Sequence, residues 1–111
     1  MAHARVSEDK DSLKITNQFR NKRGIVYDLK HQADRLTVCI TQRENPDDQG
    51  EWRVDLSAGS QGETVITEWG PTKGDALRAA GTTWVSNAET MGLPTFDWEA
   101  VAKALTTVRA I

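Results

Sequence analysis

The chain has 111 residues, 38% of them apolar and 27% charged, the size and make-up of one globular domain rather than a disordered or fibrous chain. Its net charge of -2 argues against a uniformly basic nucleic-acid coat, and no apolar run approaches the ~20 residues of a membrane-spanning helix. Cys39, the single cysteine, excludes an internal disulfide; with no apolar stretch of signal-peptide type near the N-terminus, the expected compartment is a reducing cytoplasm.

Residues 1–11 carry no periodic apolar positions and read as a flexible tail ahead of a single α+β domain over residues 12–111. Alternation of apolar and polar residues then recurs. Leu13, Ile15 and Phe19 share one side of a first strand, with Lys14, Thr16, Gln18 and Arg20 on the other. Asn21-Lys22-Arg23-Gly24 reads as a turn. Ile25, Tyr27 and Leu29 are in phase on a second strand, and Leu36, Val38 and Ile40 on a third, with Val26 and Cys39 opposite that phase. The segment Glu44 to Gly50 has the chemistry of a polar loop. Trp52, Val54 and Leu56 mark a fourth strand. After a turn at residues 59–62, Thr64 to Trp69 marks a fifth, with Ile66 expected opposite the main apolar phase.

The period then lengthens to about 3.6 residues. Thr72 is a good N-cap and Asp75 complements the helix N-terminus. Leu77, Ala80, Trp84, Ala88 and Met91 fall on one stripe over residues 72–91, and Gly92 and Pro94 end the helix. Asp97 caps a second helix, with Phe96 and Val101 placed as a hydrophobic staple. The expected fold is therefore α+β: an antiparallel sheet of four to five strands followed by two C-terminal helices packed on one face. Trp52, Trp69, Trp84 and Trp98 all lie on apolar phases and are expected in the core.

Little in the sequence points to catalysis. His31 stands near Asp28, but no nucleophile is evident beside the pair, and Cys39 lies in a strand interior. The acids Glu44, Asp47, Asp48 and Glu51 suggest calcium, but alignment on Asn45, Asp47 and Gln49 with Gly50 puts Leu56 where a calcium-binding helix-loop-helix needs a glutamate. No Cys/His cluster for zinc is present. No catalytic residue, metal or cofactor is assigned. Charge, however, is uneven. Residues 1–43 hold nine Lys/Arg against five acids, and residues 44–111 hold five against eleven. Arg20, Lys22, Arg23 and Lys30 concentrate in one strand–turn–strand segment, where cations can contact successive phosphates.

Asn21-Lys22-Arg23, Tyr27-Asp28-Leu29-Lys30 and Arg35-Leu36-Thr37-Val38 together resemble a PUR repeat, the module of purine-rich-element-binding proteins. The resemblance covers roughly residues 13–56. It implies four antiparallel strands followed by a helix, repeats interlocking in pairs, and binding of single-stranded nucleic acid. Transferred residue by residue, it implies contacts at Lys22, Arg23 and Lys30; Arg20 joins them on the strand alternation. Val26, Cys39 and Ile66, opposite the main apolar phase, form an apolar strip that a symmetric partner would cover, so a homodimer is expected, and the resemblance points the same way. The functional expectation is a small non-enzymatic module binding single-stranded nucleic acid; the alternative is a protein-interaction or regulatory domain that binds none.

Overall fold

The computed structural model describes residues 13–59 and 63–108. The expected tail and the middle of the turn before the fifth strand lie outside them. Five strands, β1 (Lys14–Arg20), β2 (Ile25–His31), β3 (Asp34–Asp47), β4 (Gly50–Ala58) and β5 (Thr64–Gly70), precede helices α1 (Lys73–Met91) and α2 (Trp98–Thr107). The strands form one antiparallel sheet in the order β1-β2-β3-β4-β5. Each neighbour in space is the neighbour in sequence, as short polar turns between alternating strands dictate. α1 lies over β5 and β4, and α2 packs on α1.

Residues directly opposed in an antiparallel pair project to the same face, so the register sorts the sheet into two faces. Tyr27, Leu29, Leu36, Val38, Val54 and Leu56 lie on the helix-covered face and are buried in one core with Leu77, Trp84, Val101 and Leu105. Ile66 opposes Leu56 and joins this core, which corrects the expectation that it lies with Val26 and Cys39. Val65 is the cause: the register shifts between Leu56 and Ser57, and one extra residue reverses the phase of everything beyond it. Trp69 accordingly opposes Arg53 on the second face, outside the core cluster, whereas Trp52, Trp84 and Trp98 belong to or pack against the core.

A second bulge reshapes β1. Ile15 opposes Leu29, yet Phe19 opposes Val26, because the register shifts between Ile15 and Asn17. Thr16 is the extra residue, its hydroxyl donating to the Asp28 carbonyl at 3.2 Å. Ile15 therefore packs towards the core while Phe19 turns to the second face. Gln18 and Arg20, opposite Tyr27 and Ile25, fall on the helix side. The expected sharing of one side by Leu13, Ile15 and Phe19 holds only up to the bulge.

Thr72 caps α1 by accepting from the Asp75 N–H at 3.1 Å. Gly92, at φ 67, closes it, and the Leu93 N–H reaches the Ala88 carbonyl at 2.8 Å; this left-handed position favours glycine. Met91, expected on the apolar stripe, is 45% exposed, since the stripe has rotated off the core by the last turn. Asp97 caps α2 through the Ala100 N–H. Gly81 lets the helices approach, because a Cβ there would lie 2.7 Å from the Trp98 ring. Trp84, Phe96 and Trp98 then meet edge-on or tilted, with centroids 5.5 to 5.9 Å apart. β3 runs as a strand to Asp47 where a loop was expected; the Gly50 backbone, at φ 121, confines the turn to its last residues.

Candidate nucleic-acid interface

The turn between β1 and β2 is built by Asn21. Its side-chain oxygen accepts the N–H groups of Arg23 at 2.8 Å and Gly24 at 3.0 Å, and its own N–H donates to the Gly24 carbonyl. This is the local reason asparagine initiates turns. Gly24 is needed because a Cβ would collide with the Ile40 carbonyl of β3. The two residues between them, Lys22 and Arg23, are exposed. They line a cleft of about 590 Å³ together with Arg20, Arg43 and the carboxylates of Glu44 and Glu51. They also line a second of about 520 Å³ that reaches Arg53 and Asp55 on the second face.

Three of the four residues singled out in the sequence, Arg20, Lys22 and Arg23, thus meet around one cleft. Lys30 does not join them. It stands at the far end of β2, five residues beyond Ile25 and about 17 Å away at ~3.3 Å per strand residue. There it opposes Lys14 on one side and Arg35 on the other.

Arg43 and Arg53 have carboxylate partners. The Arg43 guanidinium donates to both Asp47 oxygens, at 2.9 and 3.0 Å, and to the Gly50 carbonyl. This fork and the Gln49 N–H lower the Asp47 pKa to about 2. Arg53 pairs with buried Asp55 at 3.1 Å. Between the two cationic ends, the second face is polar. Thr37 Oγ1 lies 2.7 Å from an Asp28 carboxylate oxygen, and the Thr67 hydroxyl donates to Asp55 at 2.6 Å. A small cleft of about 260 Å³ beside the turn is bordered by Phe19, Arg23, Val26 and Cys39.

This arrangement does little for acid–base or nucleophilic chemistry. Asp28 projects to the second face with Lys30, and His31 alternates to the other, so the two are not a pair. Burial, reinforced by the Asp55 charge, pushes the Cys39 thiol up and away from the reactive thiolate. Among the described residues no group of three His, Cys, Asp or Glu side chains is placed to hold a metal, and no helix is long and apolar enough to cross a membrane.

Lys14, Arg35, Arg43 and Arg53 were not singled out in the sequence. For Arg35 a signal was present: once a two-residue turn is placed at Gln32-Ala33, Lys30 must oppose Arg35. Lys14 was hidden by the bulge, since an unbroken register set by the Asn21–Gly24 turn would place it opposite His31. No protein-family model, curated protein or solved structure matches the chain.

Proposed function

We propose that the protein is a non-enzymatic module that binds single-stranded nucleic acid through the β1–β2 ribbon. The observation that carries this reading is the exposed Lys22–Arg23 tip, held out by the Asn21 turn with Arg20 lining the same cleft. Phe19 stands beside the tip on the second face, and aromatic rings next to cations suit stacked bases and their phosphates. The resemblance of residues 13–56 to a PUR repeat supports the same ligand class. Local charge governs contact within a Debye length of about 8 Å at physiological salt, so the acidic total is no obstacle.

Fluorescence anisotropy with a labelled 20-mer of mixed sequence tests the reading. Binding is expected at 50 mM salt, with log affinity falling linearly against log salt. Lys22→Ala is expected to make that line shallower by about 0.7, one contact's share for a single strand, and to weaken all sequences alike. No binding at 50 mM salt would rule the proposal out.

One observation favours the rival reading of a protein-interaction module. Val85 is 63% exposed beside an apolar cleft of about 410 Å³ between the helices, bordered by Leu93, Phe96 and Trp98. Persistent binding of a protein partner by a chain that ignores oligonucleotides would select that alternative.

A further inference from the structure

Lys14, Lys30 and Arg35 stand in direct cross-strand register over β1, β2 and β3, a row about 10 Å across at ~4.8 Å per strand. Like charges set directly opposite each other destabilise a sheet. The row needs an anion, and among the described residues it has none: no carboxylate lies within ion-pairing distance of these three side chains. Asp28, the next residue of β2 on the same face, has a carboxylate oxygen hydrogen-bonded to Thr37 and is 6% exposed. Asp34 alternates to the other face. The row owes its alignment to the Thr16 bulge, which costs β1 a regular hydrogen-bonded pair.

The bulge has a second effect on the same face, bringing Phe19 to it between the row and the turn. The second face of the ribbon therefore reads, from the turn to the far end, Arg23, Phe19 opposite Val26, Asn17 opposite the Thr37-bonded Asp28, and then Lys14–Lys30–Arg35. The geometry points to a second phosphate-binding end at the Lys14–Lys30–Arg35 row, so that one nucleic-acid single strand is held at both ends of β2 with its bases over Phe19. This inference rests on the reading of the chain as a single-stranded nucleic-acid binder. Phe19 is what favours a nucleic acid, in which every phosphate comes with a base to stack, over an acidic peptide, whose carboxylate side chains carry no ring. The row lies about 17 Å from the start of β2 and farther from Arg23, so spanning both ends takes at least about five nucleotides at a rise of 3.4 Å per nucleotide. A shorter oligonucleotide reaches one end only.

Anisotropy titrations from 25 to 200 mM salt, with labelled oligothymidylates of 3 and 12 nucleotides, test this. Wild type is expected to show a salt slope steeper for the 12-mer than for the trimer by up to about 2.1, the share of the row's three further contacts. Lys14→Gln/Arg35→Gln, at two exposed positions, should cut that difference by about 1.4, to the single share of Lys30, about 0.7, with the fold checked by circular dichroism. Lys22→Gln/Arg23→Gln should make the 12-mer slope shallower by a similar amount. If only the turn variant changes the slope, the row is no part of the track, while the proposed function stands. If wild type binds neither oligonucleotide at 25 mM salt, both fall. Displacement of the 12-mer by polyglutamate at equal charge concentration would overturn the choice of nucleic acid.

Discussion

Arg43 and Asp47 show how a single contact redirects a charge. Arg43 borders both clefts at the turn, yet its guanidinium is already spent on the Asp47 carboxylate. Anion capture at that end falls to Lys22 and Arg23. The Asp47 carboxyl titrates near 2 against an ordinary 3.8. A depressed folded-state value means the pair's stabilisation is complete above about pH 4 and is lost as pH falls towards 2. Exposure and salt keep that contribution small, so the titration itself is the better readout. Carboxyl NMR is expected to give an Asp47 midpoint near 2, returning towards 3.8 in Arg43→Gln. A midpoint that ignores the substitution would mean the fork does not persist in solution.

Elements are where the sequence was most legible, and where its failures are most instructive. Thr72, Gly92 and Asp97 announce their helix ends because capping is local chemistry between residues three or four apart. The strands of the middle were legible for a similar reason, since alternation reflects burial directly. The two bulges were not: Thr16 and Val65 leave the apolar count of their strands almost unchanged while reversing the phase beyond them, so Phe19, Ile66 and Trp69 all landed on the wrong face. The cationic site divided along the same line. Lys22 and Arg23 followed from the turn, whereas the separation of Lys30 and the partnership of Lys14 depend on register. The Gly81–Trp98 contact offers a test at this scale. Gly81→Ala gains up to ~1 kcal/mol of helix propensity, but its methyl group would enter the space of the Trp98 ring, and overpacking costs about 1–3 kcal/mol. A net loss of about 1–2 kcal/mol in urea titration is expected, with altered tryptophan fluorescence; a net gain would mean α2 is free to slide away from α1.

For the whole molecule, the resemblance to a paired repeat carries the expectation of a homodimer, now with less structural support. Ile66 belongs to the core, Val26 is 5% exposed within the single chain, and Cys39 alone is a poor seam. Light scattering decides it: a mass near twice the 12.3 kDa of the chain supports pairing, and the monomer mass at micromolar concentration argues it down. The strand order β1-β2-β3-β4-β5 followed by two helices has a consequence for biosynthesis. Every strand pairs with the one made just before it, so the closure cost of each step is small and the sheet can assemble in the order the ribosome delivers it. Its cover comes last. Until α1 and α2 emerge, the wall of Tyr27, Leu29, Leu36, Val38, Val54 and Leu56 stands bare. In that interval a nascent chain presents the apolar surface that chaperones recognise and that other unfinished chains can capture. A chain halted after Gly70 has cleared the ribosomal exit tunnel, with the segment from Lys73 still inside it, would hold the molecule at its most adhesive.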